Sequence, residues 1–258
     1  MNMPEKQNND VMILHLYYDL MNLYGDWANA DVLARKLKAR GIKAEVERKS
    51  VGDDIDFGKY AFVYIGSGTE RSQQACISDI ARARHGDALV RHIEAGMHVL
   101  ATGNAHEIFG RAVTTADGKR IDTLGLMEFE TVQLNARVTG DSVLKPDFLK
   151  DRLIGFINRA GGYQKGAADR PFIAELGPDA GDKPRAEGIR YKNMLGTYLT
   201  GPILVRNPPL LDYFADLLYP NPGDIAEAAD PFFTYQAKAY STALTELSSS
   251  ALDKSLKL

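Results

Sequence analysis

The stretch YAFVYIG, residues 60–66, decides the fold class, because it is a continuous apolar run of the kind that forms a fully buried strand. A similar run at Val11–Tyr18 predicts another buried strand, and Lys43–Val51 predicts a third by its weak alternation. Between them, Trp27–Arg40 carries apolar residues at helical spacing and ends before Gly41. Buried strands joined by a helix indicate an α/β fold with a parallel sheet covered by helices.

The pattern continues to about residue 111. A helical region is predicted over about 72–95, with a weak point at Gly86. A strand at His98–Thr102 and a short helix at Asn104–Arg111 follow directly. The short helix therefore begins at the carboxyl end of a strand, which is where ligand sites form in open α/β sheets.

The second half is predicted to be rich in shorter strands. Gly118 and Gly125 bound a hairpin, and residues 169–185, rich in Gly, Pro and Asp, predict a surface loop. Ile189–Tyr198 and Ile203–Arg206 are together assigned to another strand and turn. Three further strands are expected at Met127–Leu134, Arg137–Lys145 and Leu153–Asn158.

The chain divides into three predicted parts. Residues 1–10 form a flexible N-terminal segment, 11–219 form one domain, and 220–258 form a C-terminal helical tail. The domain closes with a helix at Pro208–Tyr219, which has proline in its first turn. One large domain with a tail suits a chain of 258 residues.

Composition narrows the range of functions. The net charge of −3 gives no positive electrostatic field that would attract the phosphates of a nucleic acid, so nucleic-acid binding is not expected. The sequence has no long apolar run and no apolar leader, which predicts a cytoplasmic protein without a membrane span. The single cysteine, Cys76, and five scattered histidines predict no metal site. Because Arg71 stands where a dinucleotide motif needs its third glycine, no cofactor is expected. Cys76 lies within a helical apolar stripe, which predicts a core residue.

Three strings, in order along the chain, carry a more specific signal. They are DLMNLYGDWAN at 19–29, YIGSGTERSQ at 64–73 and GIRYKNMLGTYLTGPILVRN at 188–207. Together they resemble class I glutamine amidotransferases of the CobB/CobQ-like branch. The resemblance is closest to the GatD-type glutaminase subunits that pair with a Mur-ligase-like (MurT-type) subunit in lipid II isoglutaminyl synthase. It implies a flavodoxin-like fold with a β-rich second half.

The resemblance also implies a catalytic pair that this chain lacks. In that family a cysteine at a tight strand-to-helix turn attacks the amide of glutamine, and a histidine in a TYLHGP string activates it. The motif alignment puts Gly103 at the cysteine position and Thr200 at the histidine position. Glycine has no nucleophile, and a threonine hydroxyl does not titrate near neutral pH. No catalytic residue of this kind is therefore expected.

Part of the implied substrate pocket remains. Gly66, Ser67 and Gly68 match the glycine-rich oxyanion loop, and Asn104 follows the empty nucleophile position. The resemblance places Arg137 near the glutamine substrate, where a guanidinium suits a carboxylate. An exposed arginine in a loose ion pair explains Arg137 equally well.

These features predict a catalytically degenerate subunit that docks on or regulates a Mur-ligase-like partner in the modification of a peptidoglycan precursor. Two alternatives stay open. In the first, the chain is an active glutaminase or related amidase that uses Thr102, Ser67 or His106. In the second, it is a binding module that holds glutamine, a small amino acid or an anion through Arg137 and the glycine loop.

Overall fold

The computed structural model describes residues 10–82, 85–165, 169–180, 185–220 and 228–255. The predicted flexible segment 1–10 therefore lies outside the described residues except for Asp10, which opens the first strand.

The described residues form thirteen strands and six α-helices. The strands are β1 Asp10–Leu16, β2 Lys43–Lys49, β3 Phe62–Ile65, β4 His98–Thr102, β5 Ala112–Thr114, β6 Arg120–Asp122, β7 Glu130–Pro146, β8 Leu153–Lys165, β9 Phe172–Leu176, β10 Arg185–Glu187, β11 Ile189–Tyr191, β12 Met194–Thr197 and β13 Leu199–Thr200. The helices are α1 Trp27–Ala39, α2 Glu70–Arg82, α3 His85–Glu94, α4 Ile203–Arg206, α5 Pro208–Leu218 and α6 Pro231–Ser255. Two 3₁₀ helices cover Phe57–Lys59 and Gly103–Phe109.

The first sheet has the strand order β11-β12-β4-β3-β1-β2. Five of its strands run parallel, and only the edge strand β11 is antiparallel to its neighbour. All four residues of β3 are buried, as the apolar run at 60–66 predicts. The predicted mostly parallel central sheet is confirmed.

Helices cover both faces of this sheet because alternate strand residues point to opposite sides. On one face, the α1 stripe Ala30, Leu33, Ala34 and Leu37 packs in one core cluster with α4 and α5. On the other face, α2 and α3 pack in a second cluster that includes Cys76. Helix α1 ends where Gly41 adopts a positive φ of 76°, as expected for a glycine at a helix C-terminus.

The β-rich second half forms a seven-stranded sheet around β7 and β8. A hairpin forms here, but the predicted bounds are wrong: its strands β5 and β6 lie on either side of Gly118 instead of between Gly118 and Gly125. Two predicted strands, Met127–Leu134 and Arg137–Lys145, prove to be one strand. The pairing of β7 with β8 shifts register between Gln133 and Val138, and the polar residues of that irregular stretch hide the continuity of the strand.

Two other assignments in this half are wrong. The predicted loop 169–185 contains β9, in which Phe172 and Ala174 are buried while Ile173 and Glu175 are exposed. Its short alternation is masked by the flanking Gly, Pro and Asp residues. Ile203–Arg206 forms the helix α4 rather than a strand and turn, and its backbone amides bond back toward Gly201 and Pro202.

Helix α6 lies in the predicted C-terminal tail and packs against the domain. The side-chain amide of Gln236 donates to the carbonyls of Leu204 and Val205, at 2.9 Å each, and Asp230 just before the helix forms a bidentate ion pair with Arg35. No α-helix among the described residues is long and apolar enough to cross a membrane.

Candidate functional site

The candidate site lies at the carboxyl edge of the first sheet, where β3 and β4 end side by side. Ile65 pairs with Ala101, so the loop that starts at Gly66 and the turn at Gly103 are neighbours. Ser67, Gly68, Asn104, Arg137 and Thr200 line one pocket there. The structure therefore brings together the residues that the motifs select from four distant parts of the chain.

Gly103 occupies a sharp turn between β4 and a 3₁₀ helix. Its φ is +56°, a conformation that residues with a side chain adopt only at a cost. A Cβ atom at this position would overlap the Ser67 hydroxyl and would lie 2.7 Å from Ser67 Cβ. Only glycine fits this turn while Ser67 stands beside it.

Asp26 lies beneath this turn and is completely buried. Its carboxylate Oδ1 accepts hydrogen bonds from the hydroxyls of Tyr64 at 3.1 Å, Thr102 at 3.3 Å and Ser67 at 3.4 Å. Burial raises the pKa of Asp26, although these donors partly oppose that effect. The hydroxyls of Ser67 and Thr102 are thus held within an internal network.

Thr200 lines the same pocket, but its hydroxyl is hydrogen-bonded to the backbone. Its hydroxyl donates to the carbonyl of Phe156 at 2.9 Å and so reinforces the pairing of β13 with β8. It therefore has a structural partner and offers no group that accepts a proton at neutral pH.

The glycine loop is closely packed and its amide is already engaged. The N–H of Gly68 donates to Asn104 Oδ1 at 3.0 Å. A Cβ on Gly66 would lie 2.6 Å from Asp26 Cβ, and one on Gly68 would lie 3.0 Å from the carbonyl of Leu20. These two glycines are needed for close packing, and the Gly68 amide is engaged by the protein itself rather than free for an oxyanion.

Arg137 lies at the rim of the pocket with its side chain 40% exposed. It donates to Glu70 Oε1 at 2.7 Å, and to the side chain and the carbonyl of Asn158 at 2.6 and 3.1 Å. Both predicted features meet here, since the arginine lines the pocket and is also held in an ion pair. A ligand carboxylate would have to displace Glu70 to reach it.

His106 is buried below the turn and is neutral. Its Nδ1–H donates to the carbonyl of Gly103 at 2.6 Å, which leaves Nε2 to accept from the Tyr163 hydroxyl at 2.6 Å. Burial lowers its pKa to about 3, helped by the charges of Arg170 and Arg159. Both ring nitrogens are occupied, so His106 holds the turn in place.

Glu107 lines the inner end of the pocket and was not selected by sequence reasoning. Burial raises its pKa to about 7, although hydrogen bonds from Gln73 at 2.8 Å and from the Tyr198 hydroxyl at 2.9 Å favour the ionised form. Glu187, on β10, also has its pKa raised to about 7 by burial. The only signal in the sequence is that this acidic residue directly precedes the apolar pair Ile108 and Phe109 in the short helix.

The interior of the pocket is almost filled. Its space for water-sized molecules is about 10 Å³, close to the smallest volume that holds one water. Cys76 is not among the lining residues and is fully buried on α2, as predicted. Burial and the nearby Asp79 carboxylate raise its pKa to about 12, so the thiol stays protonated.

A family model described as the CobB/CobQ-like glutamine amidotransferase domain matches residues 12–208. The chain belongs to the CobB/CobQ-like glutamine amidotransferase family. This confirms the resemblance drawn from the three sequence strings. The match leaves out helices α5 and α6 almost entirely, since α5 begins at Pro208.

Two relatives support this membership. The chain is 31% identical to the GatD subunit of glutamine-hydrolysing lipid II isoglutaminyl synthase from Staphylococcus aureus, over 81% of this chain and 84% of that protein. It is also 31% identical to the GatD subunit of the same enzyme from Streptococcus pneumoniae, over 77% of this chain and 76% of that protein.

Solved structures agree on the fold of this family member. A crystal structure of a glutamine amidotransferase superposes with a TM-score of 0.51 at 17% identity, covering 80% of this chain and 98% of that one. The predicted class I glutamine amidotransferase fold, with its flavodoxin-like central sheet and β-rich addition, is therefore confirmed.

Proposed function

We propose that this member of the CobB/CobQ-like family is a catalytically degenerate, GatD-like subunit. It docks on a Mur-ligase-like subunit of a complex that amidates a peptidoglycan precursor. The partner binds ATP, the acceptor is the D-glutamate carboxylate of the precursor, and ammonia comes from solution rather than from glutamine.

The lack of a catalytic pair at the turn carries this proposal. Gly103 and Thr200 stand where the family motifs have cysteine and histidine, and no cysteine or histidine is among the described residues that line the pocket. Thioester chemistry requires a thiolate and a base that act together. The buried, protonated Cys76 supplies neither group at this edge.

The geometry disfavours an active amidase that uses other groups. Ser67 and Thr102 are 2% and 0% exposed, and their hydroxyls already donate to Asp26. His106 has a pKa near 3 and both nitrogens bonded, so it is a poor base at neutral pH. Glutaminase activity in the unmodified chain, abolished by a change at one of these positions, would favour this alternative over the proposal.

A small-molecule binding module is disfavoured by the state of the pocket. Gly68 and Arg137, the two groups that would hold a glutamine or an anion, are bonded to Asn104 and Glu70. The filled interior would also have to open before a ligand of that size could enter. A thermal shift with glutamine or glutamate would support this alternative.

The docking role is supported by the surface beside the site. Tyr18, Leu23 and Trp27, in and just after the loop that follows β1, are 38%, 48% and 49% exposed. Exposed aromatic side chains of this kind carry much of the binding energy in protein interfaces. Because both relatives are named as subunits of a synthase, we assign this surface to the Mur-ligase-like partner.

The proposal is tested on the purified chain. Ammonia release from glutamine should not exceed that of a buffer control, and a glutamine analogue that traps active-site cysteines should not label the protein. A glutaminase of the same family with its catalytic cysteine intact serves as the positive control. Turnover of glutamine by the unmodified chain would contradict the proposal.

A further inference from the structure

Ser67 occupies the space in front of Gly103, and the local geometry makes the two positions depend on each other. A Cβ atom on residue 103 would overlap Ser67 Oγ and lie 2.7 Å from Ser67 Cβ and 3.3 Å from Ser67 Cα. Rotation of the hydroxyl relieves the first overlap only, because Cβ does not move when the side chain rotates.

The backbone at Ser67 cannot withdraw to make room. Its carbonyl accepts from the N–H of Leu23 at 2.9 Å. Gly66 and Gly68 on either side have no free space, since a Cβ on either would meet the segment that runs from Leu20 to Asp26. Contacts at Gly66, Ser67 and Gly68 therefore hold the loop in place. In a close-packed interior an overlap of this kind can be accommodated only with strain.

We infer that Ser67 fills the space that a side chain at position 103 needs, so that a second residue blocks the return of a nucleophile at this turn. The functional meaning of this inference rests on the proposed function. The substitution Gly103→Cys, even together with Thr200→His, would leave the overlap with Ser67 in place. A side chain is accommodated at position 103 only when position 67 is glycine.

A double-mutant cycle measured by thermal unfolding of the full chain tests the inference. Gly103→Ala adds the Cβ without a thiol and should lower Tm by about 3 to 10 °C, because the added atom overpacks the turn. In the Ser67→Gly background, most of that loss should disappear. In the Ser67→Ala background, which keeps the Cβ at 2.7 Å, only a smaller part should be recovered.

Gly125→Ala is the matched control for backbone strain. Gly125 has a φ of +63°, close to that of Gly103, but an added Cβ there meets nothing within 4 Å. Its effect on Tm should be the same with Ser67 and with glycine at position 67. If Gly103→Ala alone yields no folded protein, recovery of folded protein in the Ser67→Gly background is the expected result.

Additive effects of Gly103→Ala and Ser67→Gly on Tm, or equal rescue by Ser67→Ala and Ser67→Gly, would overturn the inference. So would failure to recover a folded double variant. The cycle needs neither substrate nor partner, so it is independent of the glutaminase assay. Glutaminase activity in the unmodified chain would contradict the proposed function and leave this coupling intact.

Discussion

The substitution Glu107→Gln should make the stability of the protein less dependent on pH. Glu107 is fully buried, and its pKa rises from 4.5 to about 7 in the folded state. A carboxyl whose pKa is raised by folding stabilises the fold below pH 4.5, and this contribution is lost as the pH rises through 7. Each unit of difference between the folded and unfolded pKa corresponds to about 1.4 kcal/mol. The ionised carboxylate therefore lowers the free energy of unfolding by on the order of 3 kcal/mol above pH 7.

Glutamine mimics the protonated side chain and carries no charge at any pH. The variant should match the wild type near pH 5 and should exceed its free energy of unfolding by about 2–3 kcal/mol at pH 8. Urea unfolding followed by circular dichroism from pH 4.5 to 8.5 measures this difference. Glu128→Gln, at an exposed position, controls for the substitution itself. A stability difference that stays constant across the pH range would refute the reasoning.

Three further predictions concern Thr200, Cys76 and Trp27. Thr200→Val removes the hydroxyl that donates to the Phe156 carbonyl and should lower the free energy of unfolding by about 1–2 kcal/mol in chemical denaturation. Unchanged stability would show that this hydrogen bond does not stabilise the fold. Cys76 should react with a neutral disulfide reagent at least 100-fold more slowly in the folded chain than in urea, because it is fully buried and its pKa is about 12. Rapid labelling of the folded protein would contradict this prediction. Trp27→Ala should weaken binding to the Mur-ligase-like partner at least 10-fold, as measured by calorimetric titration. The Tm of the free chain should change by less than about 2 °C, because the side chain is half exposed. Unchanged affinity would show that this surface is not part of the interface.

Sequence reasoning predicts the central sheet well because strands buried on both faces need continuous apolar runs. Residues 11–18 and 60–66 have that pattern, and the strands β1 and β3 follow it closely. Strand β9 escapes prediction because its burial alternates over only five residues within a polar segment. Strand β7 pairs with β8 on both sides of residues 134–137, where the register shifts. All four residues of that stretch are exposed, so they show none of the alternation that predicts a strand.

The candidate site was only partly predictable for a different reason. Motif order locates Gly103 and Thr200, but the atoms that decide what these positions can do come from other segments. Asp26 and Thr102, whose side chains meet, are 76 residues apart in the chain. The packing of Ser67 against Gly103 likewise depends on how two parallel strands end next to each other. Neither contact has a local pattern in the sequence.

The source of nitrogen in the assembled complex tests the central claim most directly. The chain is reconstituted with its Mur-ligase-like partner, ATP and the peptidoglycan precursor, and is supplied with glutamine labelled with heavy nitrogen in its side-chain amide together with unlabelled ammonium. Mass spectrometry of the product then reports which source was used. The account predicts product that carries only unlabelled nitrogen and no product when glutamine is the sole source, whereas labelled product formed from glutamine would contradict it.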